Sequence, residues 1–187
     1  PSSGKSDFVD QMVVGYNQLY GWKTAYASPE NQPVYLHAHK LMRKHWQDMP
    51  SVGDIGGDKW EQVTEHVNDN YFFIDMDKYN LEAVLRKGAE LVKRKGIKCL
   101  VLDPFNKIRD VNAHSDDVNR YTMDYLAKIE AFCKKYDVLT FIVAHPTKMY
   151  KGQDGKIEEP TMYNIKGGGE WYDASYHGLL VHRDYEA

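Results

Sequence analysis

The sequence predicts an α/β fold in which a mostly parallel, twisted sheet is flanked by helices. Two observations point to this class: apolar runs alternate with helical patterns along the chain, and polar residues follow the runs where they end. The length of 187 residues indicates one domain, and the composition is ordinary for a globular protein. A net charge of −3 argues against a small basic nucleic-acid module, although it permits a local basic patch.

The first half of the chain alternates helices and strands. Apolar residues at helical spacing predict a helix over 5–19, and "WKTAYAS" predicts a strand over 22–28. Pro33 suits the first turn of a second helix, which we expect to extend to about Gln47. The next two elements are a helix over 58–67 and a short strand over 71–75.

The second half continues the alternation. The pattern over 80–96 predicts a helix with Asn80 as its N-cap and Gly96 as its stop. The run "IKCLVLD" over 97–103 is nearly all apolar, which is typical of a strand buried in a parallel sheet. The remaining elements are a helix over 117–136, a buried strand over 138–145, a long polar segment over 146–170 and a last strand over 177–183.

Two simple features bound the cellular setting. Cys99 and Cys133 form neither a disulfide framework nor a metal-binding pattern. No run of 18 apolar residues and no signal peptide is visible, so we expect no membrane partner and a location in the cytoplasm. The chain also has no initiating Met, and we expect it to be an excised part of a longer protein.

Polar residues at the strand ends are the strongest functional signal. In parallel sheets of this kind, ligands bind at the carboxyl ends of the strands. The relevant strands are followed by Ser28-Pro29-Glu30, by Asp103-Pro104, and by His145-Pro146. The sequence therefore predicts a functional site at that edge of the sheet.

The opening stretch "PSSGKSDFVDQM" contains part of a phosphate-binding pattern. Gly4, Lys5 and Ser6 match the last three positions of G-x-x-x-x-G-K-[ST], whose first Gly would precede Pro1. In such a loop, backbone N–H groups at a helix N-terminus hold phosphates, the Lys reaches the β- and γ-phosphates, and the hydroxyl binds Mg²⁺. The alternative is a chance GKS near a chain terminus.

Asp103, Glu30 and His145 each have a functional and a structural interpretation. Asp103 is placed to help hold Mg²⁺, or it is a turn residue after a strand. Glu30 is placed to orient and polarise an attacking water, or it is a solvated turn residue. His145 is placed to hydrogen-bond a γ-phosphate, or it caps a buried strand.

The polar segment over 146–170 is rich in Lys and Gly. Its lysines are Lys148, Lys151, Lys156 and Lys166, and three glycines follow at 167–169. Lysines and backbone N–H groups together could hold a nucleic-acid backbone. The segment also carries acidic residues, so an ordinary surface loop is the alternative.

Five stretches carry a resemblance to a known family. They are "PSSGKSDFVDQ", "ASPENQPVYLHAHKL", "GIKCLVLDPFNKI", "FIVAHPTKM" and "NIKGGGEWYDASYHGLLVHRD". Together they resemble the RecA-like ATPase domain of the DnaB-family replicative helicases, and in particular the Twinkle-like primase-helicases of phages. "AHPTKM" followed by "VHRD" at this separation is the more specific part of the likeness. The resemblance implies a P-loop NTPase core of the RecA type, in bacterial or phage-infected host cytoplasm.

The resemblance also implies roles for individual residues. The phosphates and Mg²⁺ of ATP would be bound by Ser3, Gly4, Lys5, Ser6 and Asp103, with Arg183 against the nucleotide base. The catalytic set would be Lys5, Glu30 as the base and His145 as the γ-phosphate sensor. Loops over 104–116 and 146–169 would contact DNA through Asn106, Lys107, Lys148, Lys151, Lys166, Gly167 and Gly168.

The implied partners are single-stranded DNA, further copies of the chain in a hexameric ring, and a primase domain in the same polypeptide. We expect the first strand of the fold, and the strands that carry an arginine finger in relatives, to lie outside these 187 residues. This predicts slow ATP hydrolysis by the chain alone. Where many relatives carry an Asn-Lys-Ala-Asp-like run, the chain has Asp173-Ala174-Ser175-Tyr176.

Three functions are compatible with these observations. The first is an ATP-driven motor of a replicative DNA helicase. The second is a recombinase or a KaiC-like regulatory ATPase, which shares the same core but has a different output. The third is a non-catalytic binding module in which the GKS is accidental, and it predicts no Mg²⁺-dependent affinity for nucleotides.

Overall fold

A parallel four-stranded sheet forms the centre of the molecule. The computed structural model describes residues 4–46, 57–108, 118–147, 160–165 and 168–181. The strands are β1 (Lys23–Ala27), β2 (Tyr71–Phe73), β3 (Ile97–Leu102) and β4 (Leu139–Ile142). They lie side by side in the order β2-β1-β3-β4, and every neighbouring pair is parallel. The predicted α/β fold class with a mostly parallel sheet is confirmed.

Helices cover both faces of this sheet. They are α1 (Lys5–Tyr20), α2 (Val34–His45), α3 (Asp58–Asn70), α4 (Leu81–Lys95), α5 (Val118–Tyr136) and α6 (Gly168–Ala174). The ends of α4 are those that the sequence predicts. The Asn80 side chain accepts a hydrogen bond from the Ala83 backbone N–H at 2.8 Å, and Gly96 ends the helix in the left-handed conformation.

Two hydrophobic cores lie on opposite faces of the sheet. In β3, Leu100 and Leu102 belong to the core beneath α4 and α5, whereas Cys99 and Val101 belong to the core beneath α1, α2 and α3. This division follows from the two-residue period of a strand, which sends successive side chains to opposite faces. Because both faces are covered, β3 is apolar except for Lys98, as the run "IKCLVL" predicts.

The C-terminal part differs from the sequence prediction in two ways. No strand is present in the described part, 177–181, of the strand expected over 177–183, and residues 177–180 are exposed there. The polar segment expected over 146–170 contains a 3-10 turn (Met162–Asn164), and α6 already begins at Gly168. Glycines at 167–169 suggested a loop, but buried Trp171 packs against Phe105 and anchors a short helix.

Two further findings concern the cysteines and the helices. Cys99 is buried, Cys133 is half-buried, and both are free thiols, as their spacing predicts. Within the described ranges, no helix combines the length and the apolar character needed to span a bilayer.

Candidate nucleotide-binding site

The candidate site lies at the carboxyl edge of the sheet, between β1 and β3. These two strands are hydrogen-bonded neighbours, although β2 comes between them in the chain. The chain therefore leaves β1 toward one side of the sheet and leaves β3 toward the other. In open parallel sheets such a switch point produces a crevice, which is where ligands bind.

The N-terminus of α1 reaches the same edge. Helix α1 leads directly into β1, so it runs in the opposite direction and begins near the end of that strand. Gly4 precedes the helix with a φ of 86°, a conformation that disfavours residues with a Cβ. The backbone N–H groups of a first helical turn have no partners within the helix and, together with the helix dipole, favour an anion.

Asp103 is buried and is held by hydrogen bonds through its backbone and its side chain. It follows β3 directly, is only 5% exposed, and its backbone N–H bonds the Ala27 carbonyl at 3.0 Å. Its carboxylate accepts hydrogen bonds from the Ser6 hydroxyl and from Asn31 Nδ2, the latter at 3.1 Å. The start of α1, the loop after β1 and the end of β3 are therefore joined through one side chain.

The electrostatics at Asp103 favour a cation. Burial raises the pKa of this carboxyl group, and the negative charges of Asp10 and Glu30 raise it further. The hydrogen bonds from Ser6 and Asn31 oppose that rise. A cation bound beside this carboxylate would favour its ionised form.

Lys5, Glu30 and His145 lie around the same space. The pKa of the His145 imidazole is lowered by partial burial and by the positive charge of Lys5, whereas Glu30 and Asp103 act in the opposite direction. Glu30 and His145 are exposed, so both can reach a ligand. The structure thus gathers at one edge five residues that the sequence assigned from separate segments: Lys5, Ser6, Glu30, Asp103 and His145.

A buried polar group beneath the site was not assigned from the sequence. Asp10 Oδ1 and His37 Nε2 are 2.9 Å apart, and the two residues are 3% and 2% exposed. The His37 ring packs edge-on against Tyr26, with ring centroids 4.5 Å apart. Burial and the Asp10 carboxylate both raise the pKa of Tyr26. The sequence held a signal for this pair, because Asp10 lies on the apolar stripe of α1 with Val13 and Val14.

Asn31 and Ser28 are the other residues that sequence reasoning left unassigned. Asn31 binds Asp103, as described above. The Ser28 hydroxyl at the end of β1 is buried and has no hydrogen-bond partner among the described residues. Both come from the same short stretch as Glu30, so "SPEN" contributes three polar side chains to the site.

The described DNA-facing candidates occupy the same edge. Asn106 and Lys107 are exposed in the 3-10 turn (Phe105–Lys107) that follows β3. Gly168 begins α6, where a Cβ would lie 2.2 Å from the Tyr163 carbonyl oxygen, so only glycine fits. Outside the described residues lie Ser3, Lys148, Lys151, Lys166, Gly167 and Arg183.

Comparisons with known proteins found similar proteins by sequence and by structure. No family model matches the chain. It is similar to the Twinkle homolog protein, chloroplastic/mitochondrial, of Arabidopsis thaliana, with 30% identity over 200 residues. That alignment covers 98% of the chain and 27% of the plant protein, so the chain spans about a quarter of this curated relative.

Two solved structures have the same fold. One is an ATPase domain with a TM-score of 0.68 and 12% identity, over 94% of this chain and 64% of that one. The other is a KaiC-like protein from the hyperthermophilic archaeon Pyrococcus horikoshii, with a TM-score of 0.50 and 15% identity, over 77% of this chain and 56% of that one. At these identities the two likenesses show the fold alone.

Proposed function

We propose that this chain, a DnaB-like domain of the RecA fold, is the ATP-driven motor of a replicative DNA helicase. The observation that carries the proposal is the convergence of Lys5, Ser6, Glu30, Asp103 and His145 at the switch point of the sheet. Each residue type suits one part of phosphoryl transfer, which depends on positioning and on electrostatic stabilisation. The similarity to a Twinkle homolog over 98% of the chain supports the same conclusion.

The start of α1 is the proposed phosphate site. Its first-turn N–H groups point toward the edge where β1 and β3 end, and Gly4 sets the turn that presents them. Lys5 adds a positive charge close to His145, as the lowered pKa of that imidazole indicates. We assign Lys5 to the β- and γ-phosphates of ATP, because a flexible ammonium group suits a phosphate oxygen.

The residues at Asp103 fit a Mg²⁺ ion. Mg²⁺ prefers hard oxygen ligands and is often held by one or two carboxylates together with substrate phosphates. Ser6 and Asp103 offer a hydroxyl and a carboxylate in mutual contact, and burial together with the charges of Asp10 and Glu30 raises the pKa of Asp103. When bound, Mg²⁺ neutralises charge that develops on the phosphate oxygens.

Glu30 and His145 are the proposed catalytic side chains. Glu30 is exposed beyond β1 and close enough to Asp103 and His145 to influence the pKa of both. A carboxylate in that position orients water and accepts its proton at a carboxylate oxygen. The lowered pKa favours the neutral form of the His145 imidazole, which can donate one hydrogen bond to a γ-phosphate oxygen.

The remaining parts of the proposal concern the whole protein. We assign single-stranded DNA to the loops after β3 and β4. Asn106 and Lys107 are exposed in the loop after β3. We further propose a hexameric ring of such chains, with a primase domain in the same polypeptide. Arg183 against the nucleotide base and the DNA contacts of Lys148, Lys151, Lys166 and Gly167 stay predictions from the sequence.

The recombinase or KaiC-like alternative has the same fold, so the fold does not distinguish it from the helicase. The sequence relationship to a Twinkle homolog favours the helicase. A DNA-unwinding assay separates the two, because only a helicase motor displaces a strand from a forked duplex in an ATP-dependent way.

The test is binding of a non-hydrolysable ATP analogue to the chain, with and without Mg²⁺. We expect Mg²⁺-dependent binding that Lys5→Ala weakens at least tenfold, since a charge-assisted contact to phosphate is lost. Lys93→Ala is the matched control, because Lys93 is an exposed lysine in the last turn of α4. Isothermal titration calorimetry measures both affinities.

Two outcomes would contradict the proposal. Binding that is equal with and without Mg²⁺ would show that Ser6 and Asp103 do not hold a metal ion for the nucleotide. Equal affinities for the Lys5→Ala and Lys93→Ala variants would mean that the GKS is accidental, and the non-catalytic binding module would then be the better description.

A further inference from the structure

Two exposed tyrosines form a stacked pair close to the proposed DNA-facing segments, 104–116 and 146–169. Tyr163 lies within the second segment, in the turn Met162–Asn164, and Tyr172 lies in α6. Their ring centroids are 5.1 Å apart and the rings are inclined by only 20°. Even so, the two residues are 61% and 56% exposed, so a flat aromatic surface faces solvent. Burying such a surface against another flat apolar group is favourable.

The turn and the helix that carry this pair are firmly held. Neighbouring Trp171 is 3% exposed and packs edge-on against Phe105, with ring centroids 4.9 Å apart. Gly168 lies so close to the Tyr163 backbone that a Cβ would clash with it. The turn is closed by a capping box in which Thr161 and Asn164 bond each other's backbone and side chains. These contacts hold in place the backbone segments that carry the two rings.

Tyr163 lies within one of the two segments assigned to DNA, 146–169, and the pair is close to the other, 104–116. Phe105, which Trp171 contacts, is the first residue of the 3-10 turn in which Asn106 and Lys107 are exposed. On the other side, the Thr147 backbone N–H bonds the Asn164 carbonyl at 2.7 Å, and Pro146 pairs with Ile165. The stack thus lies next to the place where residues 146–147 pair with residues 164–165.

We propose that Tyr163 and Tyr172 form a platform on which bases of single-stranded DNA stack. This proposal rests on the proposed function and adds a mode of contact to it. Lysines in a groove hold the phosphate backbone of a single strand, whereas aromatic rings hold its bases irrespective of sequence. Glu170 and Asp173 lie two residues before and one after Tyr172, so on a helix they do not share its face.

The test compares two oligonucleotides of equal length and charge, one of oligo(dT) and one abasic, by fluorescence anisotropy with the 187-residue chain. We expect tighter binding of oligo(dT), and a loss of about 5- to 100-fold for that oligonucleotide in Tyr172→Ala or Tyr163→Ala. Binding of the abasic strand should be unchanged. The slope of log affinity against log salt should also be unchanged, because the substitution removes no phosphate contact.

Two further variants separate stacking from folding. Tyr172→Phe keeps the ring and should retain the affinity for oligo(dT). Tyr20→Ala is the matched control, because Tyr20 is 64% exposed at the far end of α1. A thermal melt of each variant shows whether the domain remains folded. If Tyr172→Ala is unfolded, Tyr163→Ala and the comparison of the two oligonucleotides with the unchanged chain decide the question.

The platform would be ruled out if the unchanged chain bound the two oligonucleotides equally or bound neither. It would also be ruled out if the tyrosine variants retained full affinity for oligo(dT). A loss of ATP-analogue affinity in Tyr172→Ala would also overturn it, because the rings would then hold the nucleotide base. If Mg²⁺-dependent binding of the analogue persists and only the base preference is missing, the platform alone fails. If the analogue does not bind either, the proposed function fails with it.

Discussion

The two edges of the sheet are both rich in polar side chains, but those side chains are arranged differently. At the carboxyl edge, Ser6, Glu30, Asp103 and His145 surround one space, and the buried carboxylate among them has a raised pKa. At the amino edge, polar residues from the ends of α1, α2 and α3 bond one another instead. Polar side chains thus serve different purposes at the two edges.

The amino-edge cluster is internally satisfied. Asn17 Nδ2 donates to the Trp22 carbonyl and to Asn70 Oδ1, each at 3.0 Å, and Asn17 Oδ1 is 2.9 Å from His66 Nε2. His45 and Tyr71 also belong to this cluster. The His45 ring packs edge-on against His66, and its Nε2 atom bonds the Tyr71 hydroxyl. Burial raises the pKa of Tyr71 well above its ordinary value. These hydrogen bonds join the ends of the helices to one another and to the starts of the strands.

The difference shows how to separate structure from function among polar clusters. A cluster whose donors and acceptors pair with each other stabilises the fold, because buried polar groups must be bonded. A cluster that places a buried carboxylate of raised pKa beside further charged side chains is a candidate for ligand binding. We therefore expect substitutions at the carboxyl edge to change ligand binding or rate, and substitutions at the amino edge to change stability.

The largest expected effect is at the carboxyl edge. Glu30→Gln removes the proposed base while keeping the shape of the side chain, and ATP turnover should fall about 10²- to 10⁴-fold. The dissociation constant of the ATP analogue and the melting temperature should stay unchanged, because Glu30 is exposed. Steady-state phosphate release measures the rate. A variant as active as the unchanged chain would return Glu30 to an ordinary turn residue.

The buried pair beneath the site should behave like the amino edge. His37→Ala removes the partner of Asp10 in a region where both residues are less than 5% exposed. Breaking such a buried pair typically destabilises a protein by about 3–5 kcal/mol. Urea unfolding measures the change, and His39→Ala, an exposed histidine of the same helix, should cost less than about 0.5 kcal/mol. Equal losses for the two variants would show that the pair contributes nothing.

The smallest expected effect is a pH dependence at the amino edge. Burial, with a smaller contribution from His66, lowers the pKa of His45 from 6.5 to about 4. The unfolded chain therefore binds this proton more readily than the folded chain. The free energy of unfolding should accordingly fall as the pH drops from 6.5 toward 4, and the His45 contribution should be constant above 6.5.

His45→Gln tests that assignment, because an amide can still bond the Tyr71 hydroxyl but does not titrate. Its free energy of unfolding should depend less on pH over the same interval. His39→Gln is the control, since His39 is exposed. A steep dependence that survives His45→Gln would assign the acid sensitivity to other groups.

Local chemistry was enough to predict most of the elements. Asn80 and Gly96 bound α4 because their side-chain and backbone preferences act at a helix end whatever the rest of the chain does. The nearly all-apolar run of β3 and the polar residues after β1, β3 and β4 also have local causes, and the structure brings those polar residues to one edge of the sheet. The strand expected over 177–183 was wrong for 177–181, because an apolar run becomes a strand only where a partner edge pairs with it.

Tertiary structure alone decided which of these residues meet. The order β2-β1-β3-β4 puts β1 beside β3, and only then do Ser6, Asn31 and Asp103 come into contact across long separations in the chain. The Asp10–His37 pair and the Tyr163–Tyr172 stack arise in the same way, from packing between separate elements. The sequence by itself determined the type and the ends of the elements through short-range preferences. The contacts that make a site depend on how the elements pack, which no short stretch encodes.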